Sequence, residues 1–469
     1  MTKLPWLSHF EVYEKIVKAK KPNSTVPGDL PKKLTQRFPT ELAFPVSVIF
    51  NKITESAEYP AQWKVKRQLP IPKVNQPSSE EDLRNIAKTP FFSKVYESCL
   101  ADWLLPIIQP FLDPGQCGLK GLSITHYLIK LLDFTNSILD KRQPHAVLAA
   151  CIDLSKAFNR VSHDLVVQDL YDMHTPAWLL NILISYLSNR TMIMSYNGEK
   201  SEPKILPGGG PQGAFLGGLI FMIKYNGAFL RPPIPPIGPV TKSNAKKVKF
   251  VDDGSVAVSI ELKKCLVADP ETRPKPLNLH ERTNHILPAR NNLLQMYLDD
   301  TEKFTDENKM KLNSKKTKVI LFNKSRKWDF PPEMAFSDGQ NLEVVSEMKL
   351  VGVVLTDDLR WTKNTEYICQ KAMERMWILR RMKFYELDDE YILDTYMKEI
   401  RSIMELAAPV WHGGLTVKQS RDIERIQRTA LFIILGDNFM DYEVACTLMN
   451  IEPLNMRRDN LCLKFASEM

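Results

Sequence analysis

The sequence predicts an α+β fold, on three observations. Lys249 to Val258 places apolar and β-branched residues on both sides of Asp252-Asp253-Gly254, the pattern of a hairpin with an acidic-Gly turn. Ala146 to Leu154 is a nearly unbroken apolar run, as in a buried strand. Long segments such as Ile124 to Leu139 carry apolar residues at spacings of three and four, which predicts helices.

The acids in these strands carry the chemistry. Two adjacent carboxylates at a hairpin tip repel each other unless a cation lies between them. For that stretch alone, an ordinary Asp-Gly turn with a spare surface acid is an equal reading. The buried run changes the balance, because it ends in Asp153, and an acid at the end of a buried strand is costly unless paired or bound to a cation. Asp153, Asp252 and Asp253 would then lie at the ends of neighbouring strands. Three such carboxylates could hold two Mg²⁺ ions roughly 4 Å apart, with Mn²⁺ as a substitute. Hard oxygen ligands favour these ions over zinc or copper.

The chain has 469 residues, a net charge of +8 and 44% hydrophobic residues, which suits two or three domains with a real core. Lys309, Lys311, Lys315, Lys316, Lys318, Lys324, Arg326 and Lys327 follow one another with no acid among them. Such a run is either a solvated face or a track for a phosphate backbone. The seven cysteines show no CxxC pair, so reduced thiols in an intracellular protein are expected. No stretch has the length and apolarity of a membrane span, so no membrane partner is expected.

In order, the residues up to about Lys73 mix short helices with loops. Leu42 to Ile53 is helical, and Leu69 to Lys73 is a short strand broken by Pro. Thr89 to Leu105 and Ile124 to Leu139 are helices, with a Gly-containing loop at Gln116 to Gly118 between them. Pro144 leads into the apolar strand. Leu165 to Met173 and Trp178 to Leu187 are helices. Met192 to Tyr196, Asn197-Gly198 and Lys204 to Leu206 make a second hairpin. Gly208 to Gly213 opens an apolar helix, Ala214 to Phe229, at whose N-terminus negative charge is favoured. Arg231 to Ser243 is a Pro-rich surface connection, and Cys265 to Pro288 an extended inserted loop. Asn291 to Glu307 is a helix, Thr317 to Phe322 a strand, and Leu350 to Val353 part of a hairpin. Glu366 to Phe384, Asp388 to Met404 and Lys418 to Leu435 are helices, the last capped by Gly436.

The motifs along this path resemble those of reverse transcriptases of non-LTR, LINE-like retrotransposons. Ile152 to Phe158, Gly210-Pro211-Gln212-Gly213, Phe250-Val251-Asp252-Asp253, Leu312 to Thr317 and Leu350 to Val353 match in order and spacing. Asn159 stands where Asp is common and Val251 where Ala is common; neither replaces a metal ligand. The resemblance implies a right-hand polymerase with an antiparallel-sheet palm, fingers and a helical thumb. Residues 1–145 would be the N-terminal segment and fingers, 146–360 the palm with finger insertions, and 361–469 the thumb. It leaves no room here for an endonuclease domain ahead of the polymerase.

The same resemblance implies the roles. Asp153, Asp252 and Asp253, with the main chain of Ile152, would bind the metal ions. Lys316 would be a general acid for pyrophosphate. Arg84 and Lys73 would grip the incoming triphosphate. Gln212 and Gly213 would lie against the nucleotide and the templating pair. Phe158 would be a steric gate that leaves no room for a 2′-hydroxyl. Leu350 and Gly352 would belong to the primer grip. An RNA template, a DNA primer or target and dNTPs are the expected partners, and a nuclear location the expected one. The rivals are an inactive nucleic-acid-binding remnant of a retrotransposon and an RNA-dependent RNA polymerase.

Overall fold

The computed structural model describes residues 4–19, 29–72, 74–79, 82–142, 145–196, 198–206, 208–209, 215–228, 245–261, 266–269, 272–276, 279–323 and 334–469. The architecture is α+β, as expected, and the chain divides into two compact units, each assembled from three stretches.

The first unit comprises Met1–Leu119, Leu154–Pro232 and Asp300–Asn313. Its sheet is built on Val65–Pro72, which pairs antiparallel with Leu83–Lys88 and parallel with Thr191–Tyr196. Thr191–Tyr196 turns back through Gly198, at φ +88°, and pairs with Glu199–Lys200 and Lys204–Ile205, which is the second hairpin expected from Asn197-Gly198. Helices Pro39–Ser56, Phe91–Ile108, Ala177–Leu187 and Phe215–Lys224 contribute Phe50, Leu100, Leu183 and Ile220 to the core, all fully buried.

This core also contains charge. Glu97 and Arg190 are 0% and 1% exposed. Glu97 accepts from the Ser93 hydroxyl at 3.2 Å. Arg190 donates to the Tyr186 carbonyl at 2.9 Å and lies 4.6 Å over the Tyr186 ring. Burial pushes the Glu97 carboxyl up to about 7, although Arg190 opposes the shift.

The second unit comprises Lys120–Asp153, Pro233–Asp299 and Ser314–Met469. Its five-stranded sheet runs Glu343–Val345, Lys318–Phe322, His145–Ile152, Asp253–Glu261, Ala245–Phe250. Every pairing is antiparallel except that of Glu343–Val345 with Lys318–Phe322. The central strand, His145–Ile152, is buried from Ala146 to Ile152, which explains its apolar run. Ile124–Leu139 forms the helix expected over the same residues and packs against this sheet.

The inserted segment corrects its expectation. Leu266–Asp269 and Thr272–Pro276 form an antiparallel hairpin, and the next helix already starts at Leu279 and runs to Glu307. Leu266 pairs with Pro276 and Val267 with Lys275, so backbone pairing decides where polarity alone suggested loop. The Pro-rich connection 231–243 lies outside the described residues.

C-terminal to the sheet, Thr362–Phe384 packs along Val417–Leu435. The helix expected over 388–404 is interrupted: Asp389–Thr395 passes into a π turn, Tyr396–Arg401. Trp411 is buried and donates to the Leu406 carbonyl at 3.0 Å. The neighbouring His412 accepts at Nδ1 from Arg458 at 3.2 Å and bonds Asp459 through Nε2 at 2.8 Å. Arg458, fully buried, also donates to the Ser420 hydroxyl at 3.0 Å. The segment Ala408 to Gly414 therefore has a structural account: it is stapled to the last helix, Leu454–Glu468.

Candidate active site

The three acids meet at one end of the second unit's sheet. Ile152 faces Gly254 across the antiparallel ladder, so Asp153 and Asp253 follow side by side. Neighbours in such a ladder have Cα atoms roughly 5 Å apart. The Asp153 N–H donates to the Thr317 hydroxyl at 3.2 Å, which ties the end of that strand to the buried Thr317.

The turn differs from the expected Asp-Asp-Gly. Phe250 pairs with Asp253 and Lys249 with Gly254, so the loop consists of Val251 and Asp252. Gly254 is drawn into the strand by its second partner, Ile152. Val251 takes the left-handed conformation at φ +58°. That is unfavourable for a β-branched residue and characteristic of two-residue hairpin turns. Strain of this kind concentrates where surrounding structure over-determines it, as at functional sites.

The charges are crowded. Burial, then the charge of Asp252, then that of Asp153 push the Asp253 carboxyl up to about 6. Among the described residues no three His, Cys, Asp or Glu side chains form a preassembled metal-ligand set. The acids instead form a repelling group of hard oxygen donors, and a divalent cation would relieve that repulsion.

A cavity of about 350 Å³ adjoins them, lined by Asp153, Asp253, Lys316, Lys349, Met348 and Leu350 among others. Lys316, exposed, lines the same cavity as Asp153 and Asp253. Leu350 reaches the cavity from the hairpin Glu347–Leu350 and Val353–Thr356. Leu350 pairs with Val353, leaving Val351 and Gly352 as a two-residue turn at φ +42° and +95°. A Cβ at Gly352 would stand 2.8 Å from the Leu406 Cδ2, the movable end of an exposed side chain, so it is the positive φ that calls for glycine.

Sequence reasoning missed Lys349, which shares this cavity; the polar-apolar alternation along Glu347–Leu350 was the available signal. It also missed Thr317, and it missed Lys249, which is fully buried in the hairpin.

The remaining predicted residues belong to the first unit. Phe158 lies on the short turn Ala157–Arg160, half-buried, its ring centroid 4.9 Å from that of the buried Phe221. Gly209, at φ +91°, donates to the Val161 carbonyl at 2.7 Å. A Cβ at Gly208 would stand 2.8 Å from the same oxygen, so two backbones meet there without room for a side chain. Gln212 and Gly213 follow, outside the described residues, as does Lys73. Arg84 pairs with Ile71 in the sheet; its side chain is outside the description.

A family model described as reverse transcriptase (RNA-dependent DNA polymerase) matches residues 71–355. The RNA-directed DNA polymerase from mobile element jockey of Drosophila melanogaster is 22% identical over 371 residues, 77% of this chain and 37% of that protein. The probable RNA-directed DNA polymerase from transposon BS, of the same organism, is 30% identical over 194 residues, 40% of this chain and 21% of the relative. The chain thus spans well under half the length of these relatives. Among solved structures, apo telomerase from Candida tropicalis truncated from its C-terminal domain aligns at 13% identity and TM-score 0.40, covering 67% of this chain and 58% of that one. The family match takes in more than half of the chain and includes all three acids, and the chain belongs to the reverse transcriptase (RNA-dependent DNA polymerase) family.

Proposed function

We propose that this chain is the RNA-directed DNA polymerase of a LINE-like mobile element, extending a primer 3′-OH with dNTPs on an RNA template. The observation that carries the reading is the convergence of Asp153, Asp252 and Asp253 at adjoining strand ends, where their charges oppose one another. Asp153 and Asp252, with the main-chain carbonyl of Ile152, would hold two Mg²⁺ ions, and Asp253 would assist. When bound, such ions favour ionisation of the primer hydroxyl and offset charge on the leaving pyrophosphate.

The chain's own groups account for the rest. The primer 3′-hydroxyl loses its proton to water, its oxygen forms a bond to the α-phosphorus, the bond from that phosphorus to the bridging oxygen breaks, and Lys316 gives the departing pyrophosphate a proton that it regains from solvent. Arg84 and Lys73 hold the triphosphate, Gln212 lies against the incoming nucleotide and Gly213 beside the templating pair. Leu350 and Gly352 position the primer end. Phe158 offers an apolar ring with no hydrogen-bond partner for a ribose 2′-hydroxyl. In this reading residues 1–145 supply the fingers, 146–360 the palm and 361–469 the thumb, and the RNA template, DNA primer and dNTPs are the partners.

Primer extension on an RNA template, with purified protein, Mg²⁺ and the four dNTPs, tests the proposal. Extension is expected, and Asp252→Asn should abolish it while the circular-dichroism spectrum is retained. Near-normal extension by that variant would refute the assignment of the acids.

A further inference from the structure

Behind the acids lies a buried cluster that the proposed chemistry does not use. Ser255 stands two residues from Asp253 on the same strand, hence on the same face. Cys151 is its partner across the ladder and stands two residues from Asp153. The Ser255 hydroxyl lies 3.3 Å from the Cys151 Sγ and 2.5 Å from the Tyr127 hydroxyl. The Cys151 Sγ in turn meets the Met348 Sδ at 3.6 Å. Tyr127 and Ser255 are both fully buried, and Tyr127 sits in the first turn of the helix Ile124–Leu139. Four elements therefore touch at one point: that helix, the strand leading to Asp153, the strand leading from Asp253, and the hairpin leading to Leu350.

We infer that Tyr127 is a positioning residue for the acids, pinning through Ser255 the two strand ends that carry Asp153 and Asp253. The physical need is clear. Like charges at the ends of paired strands push the ends apart, and the turn beyond them holds Val251 in an unfavourable conformation. Two backbone ladders resist that force along the strands, but the last pairs of a ladder fray most easily. A side-chain bond two residue pairs behind the acids, on the same face of the sheet, opposes it. Tyr127 touches no reacting atom in this account; it acts by keeping the carboxylates at a spacing that a cation can bridge.

The inference rests on the polymerase reading for its effect on catalysis, yet it can be tested apart from it. The full chain is prepared as wild type, Tyr127→Phe, Ser255→Ala and the double variant. Mn²⁺ binding is followed by the electron paramagnetic resonance signal of the free ion, and primer extension is followed separately. Loss of one buried hydrogen bond corresponds to roughly a threefold to tenfold change. Each single variant should weaken Mn²⁺ binding and lower kcat by that factor, with the dNTP KM within about twofold of wild type. The double variant should be no worse than the worse single, because both remove the same bond. Wild-type Mn²⁺ affinity in Tyr127→Phe, or losses that add in the double variant, would overturn the inference. If the wild type fails to extend a primer, the polymerase reading falls while the Mn²⁺ titration still decides the role of Tyr127. Should Tyr127→Phe not fold, Ser255→Ala carries the same test.

Discussion

Replacing Asp253 by Asn should stabilise the metal-free protein while destroying its activity. Asp253 is displaced from an ordinary 3.8 to about 6 by burial and by the charges of Asp252 and Asp153. A difference of about two pH units, at 1.36 kcal/mol each, disfavours the ionised form by about 3 kcal/mol. The side chain is partly open to solvent, so screening reduces the expected effect to about 2 kcal/mol. The direction follows from linkage. The folded value is raised, so the ionisation penalty is absent below about pH 4 and complete above about pH 6. Urea denaturation in EDTA should therefore show Asp253→Asn more stable than wild type at pH 8, and the two should converge near pH 4. Adding Mg²⁺ should raise the wild-type midpoint and raise the variant's by less, since Asp153 and Asp252 remain. Equal midpoints for the two proteins at pH 8 in EDTA would show that the carboxylates do not crowd one another, and the argument for a cation site would lose its basis.

Three further outcomes are expected. Glu97, raised to about 7 from 4.5 in the first unit's core, should make stability fall by up to about 3 kcal/mol as pH rises from about 4.5 to 7; in Glu97→Gln the urea midpoint should be flatter across that window, and an unchanged slope would contradict the burial argument. Phe158→Ala should raise rNTP incorporation in competition with dNTPs, and a wild type that already prefers rNTPs would place the chain with RNA polymerases. Gly352→Ala must adopt a left-handed conformation, so it should cost about 1–3 kcal/mol by urea titration and weaken primer binding rather than dNTP binding.

Much of the fold was legible because local and tertiary demands agree. The helix Ile124–Leu139 was read at its own boundaries, since its apolar stripe is the face that meets the sheet. The strand His145–Ile152 was legible because burial on both faces leaves only apolar residues. Where distant partners decide, the sequence misled. Asp253 and Gly254 looked like a turn, yet the ladder from Ile152 draws Gly254 into a strand and moves the turn to Val251 and Asp252. The π turn at Tyr396–Arg401 has the same apolar spacing as the α-helix around it.

The acids of the candidate site were visible, and the apolar run ending in Asp153 already suggested that they end neighbouring strands. The register that sets Asp153 beside Asp253, a hundred residues on, was not legible. Charges such as Glu97, Arg190 and Lys249 resemble surface groups in sequence and are buried. Tyr127 and Ser255 had no signal at all, because a tyrosine on a helix and a serine in a strand are ordinary until the fold brings their hydroxyls together.

The staple formed by Arg458 bears on how the polypeptide tolerates cutting. A protease that nicks the chain ahead of Leu454 would carry off the guanidinium that His412 and Ser420 share. Trp411 would then be left in a wall missing one side, and the helices from Thr362 onward would lose a common fastening. The final fifteen or so residues are thus a keystone rather than a trailing end, and trimmed versions of the protein should expose apolar surface and clump.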